Sequence, residues 1–557
     1  MAPSPTVTAM AQCTADLSWA LLTTVLGVIV ALAAFFSATC VYNLCLHPLS
    51  SVPGPRSAAM SNLWLARHAR DGRLAELGRT LHEQYGEAVR VGPNEVWFNS
   101  KPAFKAIYSA GNGYEKSDFY LSTVLQRPRI DWLLRVHPVD TFDLLSERDM
   151  GRYRLQRRLI GPVYRAANVI RHEKEVDKVM ANAVRKLRSL DGGQIDLAEW
   201  MHMIAVECLG AVVLSWSPGM LNQGTDGGTG AHSYRSWRRK SVFGLFPAVA
   251  KLEMCSKQVG RLFSLIWGVN FVTPANFRPF FPVGRKNVNR RIARRLKTSR
   301  QGKKTHEDLA MDLIRVHEEK PEFTETYLRK MIMTNFGAGH ETMAATLTSI
   351  MTMVGSHPNV QERLAEELQG IDRSPSYANA RGTPYLQAVI KESKRLHPVI
   401  APALPRRVPA SGLTLGGIHI PSGTTVGCSP VALHRNDDIC GPRPHSFEPQ
   451  RWMDDESRAR DMDVFSLAWG GGARSCPGRH LAEMVVWKVA ATLLQEFYVE
   501  LNACEDTQMP AYFLSMMTGS KARLIARRDQ TLAAERGSQS CEPPHDAGLP
   551  LTRGLCR

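Results

Sequence analysis

The sequence predicts a mainly α-helical body with a small β-rich region, carried behind one N-terminal transmembrane helix. Three observations lead there. Leu17–Tyr42 reads LSWALLTTVLGVIVALAAFFSATCVY and carries no charge, where about 20 apolar residues suffice to cross a bilayer. Helical patterns run through most of the body, the longest from Glu325 to Ser356. Strand patterns are short and confined to residues 89–98, 404–428 and a late hairpin at 512–520.

The whole chain narrows the function classes. Apolar content of 44% and charged content of 22% are ordinary for a globular protein of this size. The formal charge of +17 suits an acidic protein partner or an anionic membrane surface. Nucleic acid is set aside, because no zinc-finger spacing or other nucleic-acid signature accompanies the charge. The 11 cysteines are odd in number and contain no CxxC pair, so they read as reduced thiols. The apolar stretch lacks the basic leader of a cleaved signal. Asp16 precedes it and His47 and Arg56 follow, which places the body in the cytosol. No Asn-x-Ser/Thr sequon contradicts that side. The division expected is a lumenal tip (1–16), the span (17–42), a proline-rich linker (43–55), the body (56–527) and a disordered tail (528–557).

In chain order, Tyr42–Pro48 and Pro53-Gly54-Pro55 form a stiff linker, since residues before proline resist helix. Val89–Phe98 reads as two short strands about a Gly-Pro turn. Residues 112–140 show no clear period and read as a long loop. Asp149–Tyr164 is basic and helical in pattern, with Tyr153 and Arg157 one turn apart on one face. Ile195–Phe271 is helical around a Gly-rich insert, Pro218–Gly230, which lacks the context of a phosphate loop. Arg285–Lys304 holds ten Lys/Arg and no acid, and reads as exposed surface able to touch anionic lipid.

The run from Glu325 stops at His357-Pro358. Its middle, Gly337-Ala338-Gly339-His340-Glu341-Thr342, sets two glycines inside a helix at a cost of about 1 kcal/mol each. The Thr342 hydroxyl can bond to the Ala338 carbonyl and bend the helix open. His340 reads as a bystander. Thr383-Pro384 opens another helix with an N-cap and a first-turn proline. That helix closes at Leu396-His397-Pro398 and can pair Glu392 with Arg395. Leu404–Val408 and Ile418–Cys428 read as strands.

Everything else is arranged around Trp469-Gly470-Gly471-Gly472-Ala473-Arg474-Ser475-Cys476-Pro477-Gly478 and the helical run Arg479–Phe497. Glycines can take positive φ and let amides approach a ligand. A cysteine at a helix N-terminus, with Arg474 near it, favours thiolate over thiol. Amides turned toward the sulfur would tune it as a metal ligand. Aromatic, Gly, Arg, Cys and Gly at −7, −4, −2, 0 and +2 resemble the heme-binding loop of the cytochrome P450 family, the heme-thiolate monooxygenases. Trp469 departs from the family's usual Phe, and its indole N–H needs a partner if buried.

The resemblance covers about Pro48 to Arg527 and implies the cytochrome P450 fold around one heme b. It makes Cys476 the axial ligand to iron, with Trp469, Gly472 and Arg474 in the cofactor loop. It carries propionate contacts to Arg157 and Tyr153, to Arg406 or Arg407 with Arg406 preferred, and to His434. Tyr153 stands where the family has Trp or His. Glu392, Arg395 and the later Arg451 would form a structural network positioning the cysteine loop. The lid helices that set substrate choice would fall within 195–271, with Pro402–Leu404 and the tip of the last hairpin facing the substrate. Glu341-Thr342 matches the oxygen-activation motif, with Thr342 donating toward O2 and Glu341 feeding protons. The function implied is insertion of one oxygen atom from O2 into a lipophilic small molecule, in the specialised metabolism of a fungus. Electrons would come from NADPH through a separate membrane-bound NADPH–cytochrome P450 reductase, with cytochrome b5 as an optional partner. The site of action would be the endoplasmic reticulum membrane, with one span and a cytosolic body. A heme-thiolate isomerase or dehydratase is the competing enzyme, against which Glu341-Thr342 argues. A non-catalytic membrane-anchored binding protein is the other competitor, disfavoured by intact Cys476, Glu392 and Arg395.

Overall fold

A computed structural model describes residues 5–527 except 125–128, 131–135, 138–142, 271–276, 278–279, 301–306 and 503–507. The expected tail at 528–557 and the first four residues of the tip lie outside the described residues. Helices dominate, as the periodicity requires, and the strands are short.

The N-terminal helix runs Pro5–Val41 and continues as a wider turn over Tyr42–Leu46. Trp19–Leu46 is apolar enough to cross a membrane, with a mean hydropathy of 2.4 and 0% burial. The linker was expected to start at residue 43. The helix outlasts that point because only Pro48 can stop it, and it breaks at His47. Arg90, buried in the first strand, then donates to the carbonyls of Asn43, Leu49 and Pro93 and ties the linker to the body. Leu197–Leu214 is a second apolar helix, but 89% of it is buried, which makes it a core helix.

Around that core helix the long helix Glu325–Gly355 packs along its length. Behind it sit Pro384–Leu396, here the network helix, and Arg479–Glu496, the cysteine helix. The close approach is local to Gly339, where a Cβ would stand 3.0 Å from the Leu209 side chain. One sheet orders Ala88–Gly92, Glu95–Phe98, Thr425–Cys428, Arg406–Arg407 and Glu115–Lys116, antiparallel except where Thr425–Cys428 runs parallel to Glu95–Phe98.

Several expectations change. The segment 195–271 resolves into a strand (Gln194–Asp196), the core helix, a short turn of helix at Met220–Gln223 and Thr229–Gly244, the Trp237 helix. Pro247–Cys255 and Lys257–Ile266 follow, the latter leaving Leu262, Leu265 and Ile266 exposed. The basic segment belongs to a helix, Phe280–Arg300, and is not simply surface: Val288, Ile292 and Leu296 form a buried stripe at i, i+4 and i+8. The loop at 112–140 contains the strand Glu115–Lys116, a turn of 3-10 helix at Asp118–Thr123 and a small two-stranded pair. The late hairpin is displaced. Its strands are Phe497–Leu501 and Lys521–Ala526, and 511–515 is the tight turn between them. Phe497 and Val499 are buried on alternate positions, a two-residue period that ends the cysteine helix without Gly or Pro. Thr383 is an N-cap by position only, because its hydroxyl donates to the Asn379 carbonyl instead.

Candidate active site

The network helix presents Glu392 and Arg395 on one face, at i and i+3. Both are buried, and Arg395 Nε and Nη2 donate to the two Glu392 oxygens at 2.8 Å. Arg451 Nε reaches Glu392 Oε1 at 3.0 Å, joined there by the Glu448 amide, while the Trp452 indole donates to Oε2 at 2.9 Å. The remaining guanidinium protons go to carbonyls, Arg395 to His434, Pro444 and Ser446 and Arg451 to Cys440, Pro442 and Arg443, with Arg451 Nη2 also donating to Glu448 Oε2 at 3.2 Å. Burial pushes the Glu392 carboxyl up, but the hydrogen bond and charge of Arg395 more than offset it, and it lies below the usual range. Every charge in the network is met. His434 belongs to this brace as well: its Nε2 accepts from the Leu467 amide, two residues ahead of Trp469, and its Nδ1 is buried without a partner.

The cysteine loop folds against Tyr108. Gly470 and Gly472 take φ of +75° and +57°, and a Cβ at Gly472 would lie 1.9 Å from the Tyr108 carbonyl oxygen, so only glycine fits. Gly471 does not share the positive φ. The Cys476 amide donates to the Trp469 carbonyl at 2.7 Å, closing the loop. Cys476 is solvent-accessible, yet enough protein surrounds it that burial pushes its thiol up. The Gly478 amide, Arg157 and Arg479 pull it down. The charge expected from Arg474 goes elsewhere. Its guanidinium donates to the carbonyls of Glu147 and Arg148 and stacks 4.0 Å from the Tyr153 ring. Burial outweighs the Gly478 amide and the nearby cations, so a bound metal is what would make it a thiolate. Trp469 is only half-buried, which removes the need for an indole partner, and Lys394 and Arg479 lie over its ring.

Facing this loop is a set of cations without carboxylates. Arg406 is buried, while Arg407 is exposed and pairs with Asp118 at 2.9 Å, so the sheet itself separates the doublet. Directly across the strand pair from Arg406 stands Lys116, also buried. Like charges opposite one another in a sheet are unfavourable. Lys116 is met only by the carbonyls of Leu144 and Leu145 and the Tyr120 ring, and burial, Arg406 and Arg474 push its ammonium well below the ordinary lysine range. Arg474 keeps a buried, unpartnered Nε. Neither the Arg157 guanidinium nor the Tyr153 phenol has a hydrogen-bond partner among the described residues. An accessible thiol together with two buried cations, Arg406 and Lys116, that pair with no carboxylate among the described residues fits a metal-centred group bearing carboxylates, as heme does.

On the other side of the pocket, Thr342 Oγ donates to the Ala338 carbonyl at 2.7 Å, and the helix stays continuous there. Glu341 is buried and its Oε2 accepts from Trp237 Nε1 at 2.8 Å. Burial holds its carboxyl above the usual range, against Ser233, Trp237 and Lys240, which pull it down. Trp237 stacks on Phe513 at 5.0 Å, and Phe513 stacks on Phe119 at 5.7 Å. Pro402, Ala403 and Leu404 are all buried, and the Leu404 carbonyl accepts from Tyr108. His340 is apart from these groups: it meets His202 at 3.0 Å, and His202 Nδ1 meets Asp226 at 2.8 Å. Sequence reading missed Lys116, Trp237, Phe119 and Phe513, none of which carries a local spacing signal. The Tyr-Phe dipeptide at 512–513, inside a segment already read as a pocket-lining tip, was the nearest thing to one.

Comparison with known proteins places this arrangement. The sequence model of the cytochrome P450 family matches residues 53–525. The chain is 54% identical to cytochrome P450 monooxygenase sdnT of Sordaria araneosa over 89% of its length and 95% of that protein's. It is 29% identical to cytochrome P450 monooxygenase hepC of Aspergillus oryzae, covering 84% and 90% of the two chains. It is also 29% identical to a pisatin demethylase of Fusarium vanettenii, covering 88% and 92%.

Proposed function

The chain belongs to the cytochrome P450 family, and from that premise we propose that it inserts one atom of O2 into a lipophilic small molecule of fungal specialised metabolism. The observation that carries the reading is the accessible Cys476 thiol opposite buried cations that no protein carboxylate meets.

Heme b would be held by Cys476 as axial ligand, with Arg157, Tyr153, Arg406, Arg474 and Lys116 around its carboxylates. The buried His434 Nδ1 is one more donor for the same group. When bound, heme supplies the two-electron activation of O2, and the protein supplies ligand, protons and orientation. Glycine at 472 lets the loop close on Tyr108, which sets where Cys476 stands. The Glu392 network braces the chain on either side of that loop. The Thr342 hydroxyl is aligned by giving its one proton to the Ala338 carbonyl, and turned from that carbonyl the same proton would serve the pocket. Glu341, whose carboxyl burial holds above the usual range and which accepts from Trp237, is the buried acid next to it. The Phe119–Phe513–Trp237 stack gives the pocket an apolar wall that excludes water and suits a lipophilic substrate.

Members of the family take electrons from a reductase. For this chain we assign that role to a separate NADPH–cytochrome P450 reductase, whose acidic face the net charge of +17 suits. Cytochrome b5 is the second donor. The exposed apolar helix Trp19–Leu46 supports single-pass attachment to the endoplasmic reticulum, with residues 56–527 as the cytosolic catalytic domain. The exposed Leu262, Leu265 and Ile266 add an apolar strip that the same membrane could cover.

The visible spectrum of reduced, CO-bound protein tests the ligand. Wild type is expected to show the strongly red-shifted Soret band of thiolate ligation, and Cys476→Ser to lose it. Folded, heme-supplied wild type without that band overturns the assignment.

A further inference from the structure

Lys240 lies one turn after Trp237 on the Thr229–Gly244 helix, with its Nζ 4.2 Å from the Trp237 ring centroid. Surrounding protein desolvates the ammonium, while the side chain as a whole is only half-buried. Among the described residues it makes no hydrogen bond and no ion pair. Neither of the two acids nearest in effect pairs with it, although Glu341 Oε1 is buried without a hydrogen-bond partner. Glu341 Oε2 is taken by Trp237, and Asp143 Oδ1 by the amides of Leu145 and Ser146 and the Ser146 hydroxyl. The neighbouring Arg239 turns to Ser264 and Glu253. A tryptophan face attracts the ammonium but accepts none of its three N–H bonds in the way an oxygen does. An enclosed cation without an acceptor is costly, and a ligand oxygen that brings a negative charge relieves that cost.

We propose that Lys240 binds a carboxylate of the substrate, so that the substrate class is a lipophilic monocarboxylic acid; the inference rests on the monooxygenase reading above. One lysine matches a single negative charge, and a phosphate dianion would leave charge unmet. The Trp237–Phe513–Phe119 stack begins at the ammonium and receives the apolar body of the same molecule. Gly244 keeps Phe119 in that stack, because a Cβ there would come within 2.5 Å of its ring. Burial pushes the Lys240 ammonium below the ordinary lysine range while Glu341 and Asp143 draw it back up, which is consistent with a charge awaiting a partner.

Full-length holoenzyme would be titrated by equilibrium dialysis at pH 7.5 with two acid–ester pairs: palmitic acid with methyl palmitate, and 4-phenylbenzoic acid with its methyl ester. Wild type should bind at least one acid about tenfold or more tighter than its ester, the size of one charge-assisted hydrogen bond. Lys240→Gln should abolish that preference and Lys240→Arg should keep it. Equal binding of acid and ester, a preference that survives Lys240→Gln, or binding of neither acid overturns the proposal. The reduced CO spectrum of the same samples separates the two readings. A normal thiolate band with no acid preference sinks only Lys240, whereas a missing band in wild type sinks the heme-thiolate reading whatever the dialysis shows.

Discussion

Two buried glutamates show how one fold treats charge in opposite ways. Glu392, behind the cysteine loop, receives two arginines, an indole and an amide. Glu341, across the pocket, receives one indole on one oxygen, and burial dominates it. The first carboxyl is held below its usual range and the second above it. A fully met network contributes little net stability but makes its members indispensable, which suits a brace. A half-met acid raised above its usual range takes up a proton more readily, which suits proton delivery.

Glu392→Ala breaks the comparison most severely. It leaves buried Arg395 without a carboxylate and Arg451 with only Glu448, and a loss of about 3–5 kcal/mol is expected, with little heme retained. Denaturant unfolding and the heme-to-protein ratio measure it, and a near-normal variant would show that the brace is dispensable. Thr342→Ala acts on the other side without touching the brace. Product formed per electron pair should fall about 10²-fold while substrate affinity holds. Coupled turnover measured with peroxide release checks this.

The pH dependence of the two acids differs in sign. Because Glu392 is depressed, its contribution is present above the ordinary carboxylate range and is lost as pH falls through the lowered value. Because Glu341 is raised, it costs stability as pH rises from the ordinary carboxylate range toward its raised value. Glu341→Gln should therefore stabilise the protein by about 1–2 kcal/mol at neutral pH and by less near pH 4. Urea unfolding across that range decides it, and a pH-independent difference would contradict the assignment. Trp237→Phe keeps the stack with Phe513 and removes the donor to Glu341, a loss of about 1 kcal/mol. The carboxyl then rises further, and the turnover limb that reports it should move to higher pH. Arg407→Ala is the control beside Arg406. Its pair with Asp118 is solvent-exposed, so about 0.5 kcal/mol and no change in heme content are expected.

Features whose partners are close in sequence were legible from the start. The Thr342 bond to Ala338 and the Glu392–Arg395 pair each follow from a fixed local spacing, whereas the glycine at 472 is demanded by the distant Tyr108 carbonyl. Arg451 was legible only through resemblance, being 59 positions from Glu392. The pull of Arg474 on the thiol was misjudged, because two sequence positions say nothing about which way a guanidinium turns. The last hairpin was misplaced by the same limit. Phe497–Leu501 pairs with Lys521–Ala526, and neither strand is strongly marked until the partner is known.

What the sequence determined by itself is the anchor, the helical body and the chemistry of the cysteine loop, because hydropathy, period and spacing are properties of contiguous residues. Tertiary structure alone decided which of Arg406 and Arg407 turns inward, that Lys116 stands opposite Arg406, and that Trp237 holds Glu341 across 104 residues. It also decided that Lys240 is left without an acceptor. Strand register and helix crossing set those distances, and long-range packing is what chooses between a charge that is satisfied and one that waits for a ligand.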